Sequence, residues 1–150
     1  MTEVLFYHLT QTPLEATLPG LLSKSLDRGW RVHIVGPNKD ALDRLDRHFW
    51  TYDDQSFLPH GLAGGPHDGD QPILLATQPP DAPPAEVLML VDGAQQPETH
   101  LQNYTRTCVF FDGNDPDQLG NARAYWTTLK ASGLDTKYWA QDNGRWVQKA

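Results

Sequence analysis

The sequence predicts an α/β fold: a mostly parallel sheet with helices on both faces, ending in a C-terminal strand hairpin. Three observations carry this reading. Short runs that are apolar on both faces, VLFYHL at 4–9, VLMLV at 87–91 and TCVFF at 107–111, have the composition of strands covered on two sides. Between the early runs lie segments whose leucines recur at helical spacing, and strand, helix, strand, helix in this rhythm argues for parallel pairing with right-handed crossovers. Near the end, Asp142-Asn143-Gly144 separates two aromatic segments, and Asn-Gly at such a place suggests a tight turn between antiparallel strands.

Each element follows in turn. Glu3 to Leu9 is the first strand. Thr12, Pro13 and Glu15 offer an N-cap, a first-turn proline and a capping-box acid for a helix carrying Leu14, Leu18, Leu21, Leu22 and Leu26, with Gly29 as its stop. Pro19 lacks the donor that an unbroken helix needs, so a kink or restart is expected near Leu18. Arg31 to Val35 is a second buried strand, and Asn38 can cap the helix bearing Leu42, Leu45 and Phe49. Gly64 to Gln71 is a polar loop before the short strand Ile73 to Ala76. Gln78 to Pro84, with its four prolines, is a stiff connector to the strand Val87 to Val91. A polar stretch from Asp92 to Tyr104 leads to the strand Thr107 to Phe111. Asn114, Asp115 and Pro116 start the last helix, which Gly133 ends. Tyr138 to Gln141 and Arg145 to Gln148 form the closing hairpin. The proline-rich connector is of ordinary loop length, so residues 1–150 are expected to form one domain, Rossmann-like in topology.

Composition narrows the function. Twelve Lys plus Arg against 19 Asp plus Glu give a formal charge of −7, which argues against extensive phosphate contact and for reaching any nucleic acid through partners. The single Cys108 has no internal disulfide partner and suits a reducing compartment. No apolar run approaches the roughly 20 residues of a membrane span, and the acidic, polar start lacks a signal peptide's pattern, so a soluble cytoplasmic protein is expected.

The search for chemistry is mostly negative. The turn Gly36-Pro37-Asn38-Lys39 has no phosphate-loop spacing, and no metalloprotease or nucleophile-elbow motif occurs, so no cofactor or metal is expected. His60 and His67 with Asp68 and Asp70 fit no metal-ligand scheme and read as solvated loop residues, as do the adjacent Asp53 and Asp54. Cys108 sits in a strand with no activating base nearby in sequence. In the last helix Leu119, Arg123, Trp126 and Lys130 share a sector of about 60° beside a face of Ala122, Tyr125 and Leu129. Read from the residues alone, Trp126 belongs to the core and the cations are solvated; the other reading is a site for an acidic peptide.

The remaining feature is Leu42 to Gly65, LDRLDRHFWTYDDQSFLPHGLAGG. It starts as an amphipathic helix and then places Trp50, Phe57, Leu58 and Pro59 in a glycine-flanked loop, either as a lid folded on the core or as an apolar patch for another protein. The residues alone favour the lid. The Leu-Asp, Trp, Ser-Phe, Pro-His and Leu-Ala-Gly spacing, however, resembles the signature of the chi subunit of bacterial DNA polymerase III. This resemblance implies a non-catalytic accessory subunit associated with the clamp loader, and it favours the patch. It implies that Trp50, Phe57 and Pro59 face the psi subunit, or a replacement such as an iron-sulfur helicase. It also implies that Arg123 and Trp126, with Lys130 by geometry and Lys137 adding charge, hold the C-terminal tail of the single-stranded-DNA-binding protein. The competing expectations are a small enzyme or nucleotide binder on the same fold, and direct binding of single-stranded DNA.

Overall fold

Residues 2–51, 60–63, 71–80, 84–142 and 145–149 are described by the structure, a computed structural model. Eight strands form one sheet in the order β3-β4-β2-β5-β6-β1-β7-β8. The strands are β1 (Glu3–Leu9), β2 (Val32–Val35), β3 (His60–Leu62), β4 (Ile73–Ala76), β5 (Val87–Leu90), β6 (Arg106–Asp112), β7 (Asp135–Asp142) and β8 (Arg145–Gln148). Every pairing is parallel except β7 with β8. The helices are α1 (Leu14–Asp27), α2 (Lys39–Thr51), α3 (Glu98–Leu101) and α4 (Pro116–Ala131).

Side chains alternate across a strand, so the sheet has two cores. Leu5, Tyr7 and Leu9 point into one, with Ile34, Met89, Cys108 and Phe110, beneath Leu14, Leu18 and Leu22 of α1 and Leu42, Leu45 and Phe49 of α2. Val4 and Phe6 point into the other, with Val35, Leu88, Val109 and Phe111, beneath Leu101 of α3 and Ala122, Tyr125 and Leu129 of α4. That double burial is why these strands read as continuous apolar runs. Cys108 is fully buried beside Tyr7, and burial pushes its thiol up to about 12, so it packs as a small hydrophobe with almost no thiolate.

Helix termini follow their local chemistry. Asn38 Oδ1 accepts the Ala41 N–H at 2.9 Å at the start of α2, and Asp115 accepts from Asp117 and Gln118 at the start of α4. Gly133, at φ 91°, turns the chain out of α4 as only glycine does without strain. α1 corrects two expectations. It runs unbroken through Pro19, with no restart at Leu18. Proline removes one backbone bond there, while Leu18, Pro19 and Leu22 are all buried, and packing outweighs propensity. Pro13, not Thr12, is its N-cap; the Thr12 hydroxyl instead accepts from the Gln141 amide.

Two elements were not anticipated. α3 lies inside the stretch read as merely polar, anchored by buried Leu101. β3 lies within the stretch read as loop, and its His60 is 4% exposed rather than solvated. The predicted turn residues Asn143 and Gly144, and the loop residues Asp53, Asp54, His67, Asp68 and Asp70, lie outside the described residues.

Candidate functional site

α4 crosses the sheet face made by β6, β1 and β7. Ala122, Tyr125 and Leu129 are buried, while Arg123 and Lys130 are exposed on the adjoining strip. Trp126 lies at the boundary, half-buried. Its indole packs edge-on against Phe6 at 5.4 Å and Tyr138 at 5.7 Å, and the Lys130 ammonium stands 5.2 Å from its ring centroid. Core membership and surface presentation thus coexist in one side chain: one edge is packed, and another carries a cation.

Beneath this strip lie two residues that sequence reasoning did not single out for it. The Tyr138 hydroxyl and His8 Nδ1 are 2.7 Å apart, and the His8 ring is tilted over Phe111 at 5.0 Å. Burial holds the His8 pKa below its usual value, the Arg123 guanidinium lowers it further, and Asp112 opposes them. The folded state therefore disfavours protonated His8. The corresponding stability is complete above the ordinary histidine value of about 6.5 and declines as pH falls below it toward the lower folded value. We expect urea midpoints to drop between about pH 7.5 and 5.5, and to drop less in His8→Gln. An identical decline in both proteins would assign the effect to other groups. The sequence signal available for His8 was only its polarity in an otherwise apolar strand.

Lys137 does not join this strip. It faces the opposite side of the sheet, in register with Leu5, and its Nζ lies 3.1 Å from Glu3 Oε2 and 3.8 Å from Asp135. Arg106 holds the other Glu3 oxygen at 2.6 Å. Burial raises the Glu3 pKa, but its bonds to Lys137 and Arg106 outweigh this and leave it below the usual carboxylate value. Strand alternation decides the matter: Tyr138 and Lys137 are neighbours in sequence and cannot share a face.

The aromatic stretch places Trp50 differently from expectation. It belongs to the last turn of α2 rather than to a loop, and it is 56% exposed. Its indole sits 4.6 Å from the buried His60 ring, which also meets Phe49 at 5.3 Å, and His60 Nε2 lies 3.1 Å from Asp46. Two helical positions, Asp46 and Phe49, thus fix the histidine against which Trp50 leans. Phe57 and Pro59 lie outside the described residues.

Open α/β sheets usually bind ligands beyond the carboxyl ends of their strands. Here that position is a hollow of about 370 Å³ lined by Thr10, Thr12, Glu15, Asp92, Asp112 and Gln118, among others. The backbone N–H groups of Thr10, Gln11 and Thr12 all point to Gln141 Oε1, at 3.0, 2.9 and 3.2 Å. Donors that could have met a phosphate are thus used internally, and Glu15, Asp92 and Asp112 add carboxylates to the lining. Among the described residues, no group of three or more His, Cys, Asp or Glu could hold a metal ion.

Against known families, residues 1–137 match the model of the DNA polymerase III chi subunit, HolC. The chain belongs to the DNA polymerase III chi subunit family. No curated protein sequence matches it significantly. Chi is an accessory subunit of the replicase, so the chain's implied partner is the DNA polymerase III holoenzyme and its process DNA replication. No helix among the described residues is long and apolar enough to cross a membrane.

Within a chi-family chain the two surfaces lie far apart in the topology. α2, which carries Trp50, packs on β3 and β4 at one side of the sheet; α4 packs on β6 and β7 toward the other, on the opposite face.

Proposed function

We propose that the chain is a non-catalytic connector. Through the α4 strip it binds the acidic C-terminal tail of the single-stranded-DNA-binding protein, and through the Trp50 surface it binds a second protein of the clamp-loader assembly. The observation that carries this reading is the α4 strip itself: a half-buried indole with an ammonium over its ring and Arg123 one turn earlier. Carboxylates pair with such cations, and an aromatic or aliphatic side chain packs on the indole. The second partner is the psi subunit or a replacement such as an iron-sulfur helicase, received at Trp50 with Phe57 and Pro59. Linking two modest contacts raises effective concentration and keeps the polymerase at the coated template.

The three carboxylates of the crevice, with no Lys or Arg in its lining, and its occupied N–H groups speak against the nucleotide-binding alternative, and the formal charge of −7 speaks against strong direct contact with bare single strands.

Calorimetry with a peptide copying the acidic tail tests the connector. Binding that is lost in Arg123→Ala and kept in Trp50→Ala is the expected result. No binding by the unaltered chain at about 100 µM, weaker than roughly −5.5 kcal/mol, would remove the tail from the reading and leave Trp50 as the surface to pursue.

A further inference from the structure

The family match stops at residue 137, whereas β7 continues to Asp142 and β8 follows it. This hairpin is firmly joined to the sheet. Trp139 pairs in register with Tyr7, Trp146 packs edge-on against the Tyr7 ring at 5.1 Å, and Gln141 accepts the three N–H groups of the turn after β1.

Its other face is what matters for binding. Phe6 is opposite Tyr138, His8 is opposite Ala140, and Ala140 is opposite Val147. The Lys149 N–H continues the ladder to the Tyr138 carbonyl at 2.7 Å. Alternation therefore sets Arg145, Val147 and Lys149 on the same sheet face as Tyr138 and α4. Val147 is 37% exposed, one of few large apolar side chains among the described residues to be so. The Tyr138 ring already touches Trp126. One strand spacing, about 4.8 Å, separates β7 from β8. Trp126 and Tyr138 thus form an apolar floor between α4, which carries Arg123 and Lys130, and the face of β8 and its continuation that carries Arg145, Val147 and Lys149, with Asp142 opposite Arg145 in the ladder. Arg123 and Lys130 of α4, Arg145 of β8 and Lys149 just after it are therefore on one face of the sheet in a chain whose formal charge is −7.

The geometry points to the hairpin as the second wall of the peptide site, so that an acidic peptide lies extended between α4 and β8 and its carboxylates meet cations on both sides. This rests on the tail-binding reading above and deepens it: the ligand is a longer acidic segment, not a terminal carboxylate with one apolar residue.

The test is calorimetry with the full chain, the acidic tail peptide and a version shortened to its C-terminal end, using Arg123→Ala and the double variant Arg145→Glu with Val147→Asp. Thermal melts check that each variant is folded. The double variant should bind the long peptide about tenfold more weakly, because two exposed contacts are lost and two like charges are introduced, yet bind the short peptide as the unaltered chain does. Loss of binding in Arg123→Ala with long-peptide affinity unchanged in the double variant would overturn the hairpin's role and leave tail binding standing. Equal weakening for both peptides would also overturn it, because the damage would then be to α4. Absence of binding by the unaltered chain would overturn both.

Discussion

Phe6→Ala is expected to cost about 3–5 kcal/mol of stability and to abolish most of the affinity for an acidic tail peptide. Phe6 is fully buried in β1, near the middle of the sheet, with strands on both sides. Its ring meets Tyr125 at 5.9 Å and Trp126 at 5.4 Å, so it links the sheet to both aromatic rows of α4. Removing the ring leaves a cavity that the strand backbone, bonded on both edges, cannot close. The loss is a large part of the 5–15 kcal/mol that separates folded from unfolded states. Urea unfolding should show a lower midpoint with an unchanged slope. The functional loss has a separate cause: without its backing, Trp126 is free to rotate into the vacated space and the surface under Lys130 disappears. Phe6→Leu, which keeps most of the volume, should retain binding. Equal binding by the alanine variant would show that Trp126 is held by Tyr138 alone.

Gly113→Ala is expected to destabilise by about 1–3 kcal/mol and to weaken tail binding several-fold. A Cβ at this position would lie 1.9 Å from His8 Nε2 and 2.1 Å from its Cδ2. The histidine has little room to yield, because the Tyr138 hydroxyl lies 2.7 Å from its Nδ1 and Phe111 packs on its ring. Moving His8 therefore moves Tyr138, the floor residue that touches Trp126. A double-mutant cycle checks the cause: in a His8→Ala background, adding Gly113→Ala should cost almost nothing. An additive cost would place the strain in the backbone, where the Gly113 N–H meets the Leu9 carbonyl at 2.7 Å, and not in the collision with His8.

Much of the molecule was legible in the residues, for reasons that are local. Strands buried on two faces must be apolar throughout, so β1, β5 and β6 announce themselves without reference to neighbours. Asn38, Asp115 and Gly133 mark helix ends because they satisfy or redirect backbone groups a few residues away. The spacing of Arg123, Trp126 and Lys130 follows from helical geometry alone. The motif around Trp50 was enough to indicate the family that the match over residues 1–137 bears out.

Other features depended on contacts between distant parts of the chain. Pro19 was expected to interrupt α1, but the burial of Leu18 and Leu22 under the sheet holds the helix through it. His60 resembled a solvated loop residue until β3 brought it against Phe49, Trp50 and Asp46. Lys137 and Tyr138 stand side by side in sequence, yet pairing with β1 sends one to Glu3 and the other to Trp126. The sequence by itself determined the class of fold, the helical stripe and the kinship. The tertiary structure alone decided which residues join that stripe, because strand order and register assign each side chain to a face, and neither is encoded in any single stretch.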